Sequence, residues 1–367
     1  MALMSYKCPN CGGGLVFDPD SQKFQCEYCL SEFTEEEMKR MEEASASPAE
    51  EEEAVLEEEG TAPQEGDSSQ VPETGEAAVY TCPSCGAQIV TDATTAASFC
   101  YYCHNPVVFS GRLSGDHMPD FVIPFAIDKK EATSRFLSWI GKKKFVPGDF
   151  FSRDQIEKLS GIYFPYLIYS CQVDGQAEAE AEAEEQRTWV SGRTRYTEHK
   201  KYQVERAGTL EVKNLTRNAL KKSNKELVEG VLPFDMEKLL PFQMGYLSGF
   251  QAERRDMDGE SFADEAEQEV KQYTLDRLRS SMDTYSSVRI KDSSMEIRDP
   301  RWQYALLPVW VMTYGHRAGG KTYYFAMNGQ TGKIWGRLPV DKRKLAGLFF
   351  GVFFPVFAAL MIGGWFL

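Results

Sequence analysis

Histidine is scarce in this chain of 367 residues. Its four copies, His104, His117, His199 and His316, stand at no spacing that lets two of them share a metal ion. Met1 to Lys7 holds no apolar run, so a secretory signal is not expected, and neither is a disulfide framework. No Gly-x-Ser-x-Gly elbow is present, which removes the commonest serine-hydrolase signature. Residues 79–110 contain neither Lys nor Arg, a poor start for a phosphate-binding surface. Residues 345–367 contain no charge of either sign.

Cysteine is what the chain has instead. Cys8-Pro-Asn-Cys11 is followed after fourteen residues by Cys26-Glu-Tyr-Cys29, and Cys82-Pro-Ser-Cys85 after fourteen by Cys100-Tyr-Tyr-Cys103. Each Cys-x-x-Cys pair can sit on a tight knuckle that aims two sulfurs at one point. Two knuckles supply the four tetrahedral thiolates that zinc prefers. Gly12 and Gly86 follow the first pair of each quartet, where the turn needs a permissive backbone. His104 follows the last pair, and histidine tolerates a left-handed backbone better than most residues. Cys100-Tyr-Tyr-Cys103-His104 also matches a haem-attachment pattern, but that reading leaves Cys82 and Cys85 without a role. We therefore expect two four-cysteine zinc ribbons, at residues 1–34 and 79–110, holding two structural zinc ions. With every coordination position taken by thiolate, neither ion has a site open for catalysis. Cys171, the ninth cysteine, lies in an apolar run and reads as a buried thiol.

The net charge of −14 sits wholly in residues 35–78, which hold sixteen Asp or Glu against two Lys or Arg. That composition predicts a disordered acidic linker between the ribbons, free to present the first of them. The uncharged run at 345–367 carries thirteen Leu, Ile, Phe or Val and follows Lys342-Arg343-Lys344. As a helix it would be about 35 Å long, enough for a hydrocarbon core of about 30 Å. The basic triplet places the preceding chain on the cytoplasmic side. The expectation is a tail-anchored, single-pass protein of the cell membrane with its N-terminal bulk in the cytoplasm and the lipid bilayer as one partner.

Residues 111–340 are the only segment long enough for a large core. Asp128 to Lys142 reads as an amphipathic helix carrying Ala132, Phe136, Trp139 and Ile140, and Asp154 to Ser160 as a shorter one. Gly161 to Tyr169 reads as a strand. Gln176 to Glu184 alternates Ala with Glu and predicts a strand with one charged face, with a helix as the alternative. The basic stretch after it, Arg187 to Arg206, would lie opposite those glutamates in a hairpin. Asp264 to Met282 reads as a long helix, and Ala305–Tyr314 and Lys321–Met327 as strands before an Asn328-Gly329 turn. The fold class expected is α+β, a mixed cytosolic domain ending in antiparallel hairpins. Gly315 to Thr322 matches the phosphate-loop pattern, yet strand residues follow it where that loop requires a helix. No catalytic residue and no small-molecule cofactor is assigned, and the chain is not expected to be an enzyme.

The doubled ribbon, Pro147-Gly-Asp-Phe150, Gly161-Ile-Tyr-Phe-Pro165, Pro241-Phe242, Tyr246-Leu-Ser-Gly-Phe250 with Ala252-Glu-Arg254, Leu307-Pro-Val-Trp310, and Asn328-Gly-Gln-Thr-Gly332 with Leu338-Pro339 resemble one known family. It is the TFIIB-type zinc-ribbon membrane proteins of Gram-positive bacteria, often encoded beside a phage-shock protein A homologue, an SPFH-domain protein and a TPM-domain protein. The resemblance implies work in envelope stress, with SPFH-domain and TPM-domain membrane proteins as partners. The residues alone support a zinc-bearing membrane-anchored adaptor. Two other classes stay open: a membrane-tethered nucleic-acid-binding zinc-ribbon protein, against which the charge argues, and an unrecognised enzyme in the middle domain.

Overall fold

The computed structural model describes residues 6–45, 78–82, 84–100, 104–147, 159–191, 193–315 and 322–365. In chain order it begins with β1 (Leu15–Asp18), β2 (Lys23–Cys26), β3 (Glu32–Phe33) and α1 (Glu35–Ser45). Then come β4 (Ala78–Thr81), β5 (Gln88–Thr91), β6 (Thr95–Phe99), β7 (Pro106–Val108), β8 (Phe121–Val122) and α2 (Lys129–Gly141). Two very long strands follow, β9 (Ser160–Ser191) and β10 (Thr194–Asn218), then α3 (Lys225–Gly230), β11 (Leu240–Pro241) and β12 (Gln251–Glu253). The chain continues with α4 (Ala263–Ser280), β13 (Ser287–Gly315), β14 (Thr322–Asn328), β15 (Ile334–Gly336) and α5 (Lys342–Trp365). The mixed α+β class matches expectation. The expected helix at Asp154–Ser160 lies almost wholly outside the described residues.

Two compact units result. The first takes Met1–Pro165, Lys222–Asp256 and Leu306–Leu367, and the second Tyr166–Lys221 and Met257–Ala305. The core of the first unit is aromatic. Phe125 and Phe250 stack at 4.2 Å, Tyr163 meets Phe125 edge-on at 5.0 Å, and Trp310 lies 5.1 Å from Phe125 while donating its indole N–H to the Ile127 carbonyl at 3.0 Å. Helix α2 is capped by Asp128, whose carboxylate accepts the Glu131 N–H at 2.6 Å, and buries Ala132, Phe136 and Ile140 at helical spacing. Asn328 is fully buried. Its side-chain amide donates to the carbonyls of Val231 and Pro233, and its oxygen accepts from the N–H groups of Gln330 and Thr331. The turn after it carries Gly332 at φ +77°, the left-handed conformation that favours glycine.

In the second unit β9 and β10 pair antiparallel, and Ala177, Ala179 and Ala181 are buried at period two, packed with Val204, Met282, Leu275 and Leu278. Strand, not helix, is the outcome for the Ala/Glu alternation. The expected charge pairing is only partly present. Lys201 faces Glu182 and pairs with it at 3.4 Å, but Arg206 faces Ala177 and Glu205 faces Glu178. Glu178, Glu180 and Glu182 face Glu205, Gln203 and Lys201, whereas Lys200 and Arg206 fall on the positions that face alanine, and Glu180 takes its partner, Lys291 at 3.1 Å, from β13. Arg217 clasps α4 through Glu265 and Glu269.

One further difference concerns the expected linker, and one agreement the C-terminal run. Residues 35–45 of the expected linker are helix α1. Thr34 and Glu37 form a capping box, with the Thr34 N–H donating to the Glu37 carboxylate at 2.7 Å and the Glu37 N–H returning to Thr34 Oγ1 at 3.4 Å. Met38 on the next turn is buried and anchors the helix. The remainder of the linker, 46–77, lies outside the described residues. Helix α5 is long and apolar enough over Lys342–Met361 to cross a membrane, and none of that stretch is buried.

Candidate metal centres

All four knuckles have one backbone pattern. The N–H of the first cysteine donates to the carbonyl five residues on: Cys8 to Gly13, Cys26 to Ser31, Cys82 to Ala87 and Cys100 to Asn105, at 2.7 to 2.9 Å. The N–H of the fifth residue returns to the carbonyl of the first: Gly12, Leu30, Gly86 and His104, at 2.8 to 2.9 Å. That fifth residue is left-handed every time, with φ +74°, +58°, +75° and +58°. Glycine meets this demand freely at two knuckles; Leu30 and His104 accept the strain that the turn imposes.

In the first cluster Cys8, Cys11, Cys26 and Cys29 bring their sulfurs within 4.8 Å of one another. Cys8 Sγ lies 3.5 Å from Cys29 Sγ, and Cys11 Sγ lies 3.4 Å from Cys26 Sγ. A zinc–sulfur bond of about 2.3 Å gives a tetrahedron with edges of about 3.8 Å, close to these separations. In the second cluster Cys82, Cys85 and Cys100 meet within the same limit, with Cys85 Sγ 3.7 Å from Cys100 Sγ. Cys103 lies outside the described residues. Either cluster could hold a metal ion. Cys8, Cys26, Cys82 and Cys100 are buried, and Cys11, Cys29 and Cys85 face outward. The Ser31 hydroxyl, 3.2 Å from Cys29 Sγ, and the Ser31 N–H bring the Cys29 thiol down to about 6. The Gly13 N–H favours the Cys11 thiolate, but the crowding thiols of Cys26 and Cys29 push it up to about 12. A cation resolves that competition by taking all the sulfurs as thiolates.

Each cluster is held by something the cysteine spacing does not announce. The first ribbon is docked on the segment 243–250. The Phe17 N–H donates to the Ser248 carbonyl at 3.0 Å, the Ser248 hydroxyl donates to the Leu15 carbonyl, and the Gln243 amide donates to Glu35 at 2.8 Å. Tyr246 sits between Phe17 at 5.2 Å and Phe24 at 5.9 Å. A Cβ on Gly245 would lie 3.1 Å from Phe24, and one on Gly249 3.1 Å from Val16, so the two surfaces meet backbone to side chain. Burial, first, and Glu35 raise the Tyr246 phenol above its usual range. The freely searching ribbon expected from the linker is therefore corrected: ribbon and body share one packed interface.

The second ribbon is tied in by sheet and by a buried arginine. Strand β6 pairs with β7 on one side and with β12 on the other, where Ala252 faces Ala97. Arg112, 6% exposed, donates to Tyr80 Oη at 2.8 Å, Thr91 Oγ1 at 3.1 Å and the carbonyls of Asp92 and Thr95. Its guanidinium also lies 4.7 Å from the Tyr80 ring centre and 5.0 Å from that of Phe109. Two residues past the expected ribbon boundary, Arg112 was legible only as a basic residue next to a ribbon that has none. The phosphate-loop pattern resolves as strand pairing. Gly315 faces Thr322, and β14 begins there rather than a helix; His316 to Lys321 lie outside the described residues.

No family model matches the chain, and no solved structure matches it. A protein of Bacillus subtilis (strain 168), called uncharacterized protein YdjG, is 30% identical over 369 residues, covering 99% of this chain and 100% of the relative. With that identity over essentially the whole of both chains, the protein belongs to the family of Bacillus subtilis YdjG.

Proposed function

We propose that this protein is a membrane-anchored zinc-ribbon adaptor, which docks partner proteins at the cytoplasmic face of the cell membrane. The observation that carries the reading is α5. Leu348, Phe349, Phe354 and Leu360 are 54%, 59%, 60% and 71% exposed, an apolar surface far beyond what a water-soluble monomer leaves open. A bilayer accounts for it. All-thiolate quartets select zinc among common divalent ions, and a closed tetrahedral site makes the metal structural. Because the first ribbon is packed against Tyr246, the face it offers outward is its second knuckle, where Tyr28 and Leu30 are 72% and 69% exposed. A rigid knuckle with two apolar side chains suits a protein surface better than a phosphate backbone.

By resemblance, the partner is an SPFH-domain membrane protein acting in envelope stress, together with a TPM-domain protein. The test is localisation. Loss of this protein should disperse a membrane SPFH-domain partner, and the pair Tyr28→Ala with Leu30→Gly should do the same while both metal ions stay bound. An unchanged partner distribution in cells lacking the whole chain sinks the adaptor reading. Extraction at alkaline pH tests the anchor: the full chain should stay with membranes, and release of it into the supernatant refutes the span.

A further inference from the structure

We infer that the end of α2 and the foot of α5 form one surface for anionic phospholipid headgroups. The inference rests on reading α5 as a membrane span. Lys142, Lys143 and Lys144 follow α2, and Lys342, Arg343 and Lys344 open α5; all six are exposed. The fold brings these triplets together across about two hundred residues. The Asp341 N–H donates to the Phe145 carbonyl at 2.7 Å, and Lys344 Nζ donates to the Val146 carbonyl at 2.7 Å. Asp341, a carboxylate at this junction, is turned to the helix start, where it accepts the N–H groups of Arg343 and Lys344 at 2.9 and 3.3 Å. The described ion pairs nearest in sequence, Arg135–Glu131 and Arg337–Glu226, use none of the six cations. Favourable charge at a helix C-terminus accounts for Lys142, the C-cap of α2, but not for three lysines in a row immediately before Phe145 and Val146, the residues bonded to the start of another helix.

Position identifies the anion. The exposed apolar run begins at Leu345, one residue after the last cation, so the surface that meets these charges is the headgroup layer into which α5 enters. Each Lys or Arg close to an anionic leaflet strengthens association by a factor of about five. The second triplet comes with any basic-flanked span. The first does not: it makes the folded domain itself rest on the membrane and fixes how α2 faces it. Trp139 is placed to join that contact, with Lys143 lying 5.4 Å from its ring centre.

The experiment uses the full chain in nanodiscs of phosphatidylcholine alone and of phosphatidylcholine mixed with phosphatidylglycerol, reading amide hydrogen exchange over residues 141–147. Exchange should slow several-fold in the anionic discs and recover at high salt. The triple variant Lys142→Gln, Lys143→Gln, Lys144→Gln should lose the difference between the two lipids, and the corresponding triple Arg variant should keep it. Retained metal and unchanged exchange in β13 and β14 confirm that the variants fold. A chain that enters both discs and shows no lipid dependence at 141–147, or the same dependence in the Gln variant, overturns the inference and leaves the span intact. A chain that fails to enter discs at all overturns the span and the inference with it.

Discussion

Docking of the first ribbon can be tested at a single amide. The Phe17 N–H has its acceptor, the Ser248 carbonyl, outside the ribbon, so its exchange with solvent reports whether the ribbon is seated. Tyr246→Ala is the perturbation. Truncating a buried aromatic costs about 3–5 kcal/mol in all, shared between the body and the interface. The interface share follows from geometry. Two ring pairs are lost, with Phe17 at 5.2 Å and with Phe24 at 5.9 Å, each contributing about 0.5–1.5 kcal/mol. Seating should weaken by about 1–3 kcal/mol, and Phe17 exchange should accelerate about 5- to 150-fold. Amides of the β13–β14 pair, where Val311 faces Ala326, serve as the control and should change much less. If they accelerate equally, the milder Tyr246→Leu separates seating from unfolding. Unchanged Phe17 exchange in a folded variant, or a Phe17 amide that is unprotected in the unaltered protein, refutes the packed interface.

Changing Cys8 and Cys11 to Ser should lower the bound metal from two ions per chain to one, measured by elemental analysis, and should unprotect the Phe17 amide at the same time. Arg112→Met should destabilise the second ribbon by about 2–4 kcal/mol, because it removes a buried cation's hydrogen bonds to Tyr80 Oη, Thr91 Oγ1 and the carbonyls of Asp92 and Thr95; a chelator should then strip the second site first. His117 is held below its usual value by burial first and then by Arg254 and Arg255, so the unfolded chain takes up a proton before the folded one. Stability should therefore decline as pH falls below about 6.5, and His117→Gln should flatten that decline in thermal melts recorded across this range.

The cysteine clusters and the membrane-length helix were legible in sequence because both are local. A knuckle needs six consecutive residues, and its left-handed fifth position shows as Gly12 and Gly86. The period-two burial of Ala177 to Ala181 was readable for the same reason. What escaped the sequence is long-range. Tyr246 to Phe250 stood out as a motif with no assignable role, since its role is to receive Phe17 and Phe24 from the far end of the chain. Arg112 looked like an ordinary surface cation until β4, β5 and β6 closed around it. The cross-strand charge pattern failed because Lys200 and Arg206 fall on the positions of β10 that face alanine, a matter of register parity that composition does not show. The acidic linker was read from bulk composition, and that average concealed the Thr34–Glu37 box and Met38 at its start.

The separation between Leu15 and Ser248 also sets a timetable. The two residues that lock the first ribbon to its seat are 233 positions apart. A ribosome adding about 5–20 residues per second needs roughly 10–50 s to make the second after the first. A cluster whose sulfurs all lie within Cys8 to Cys29 could take a metal ion during that interval, well before Tyr246 exists to cover Phe17 and Phe24. The nascent chain thus exposes a finished aromatic face while the rest is still being made. A metal ion that reached the chain only after synthesis would have to enter a cluster whose ribbon is already seated.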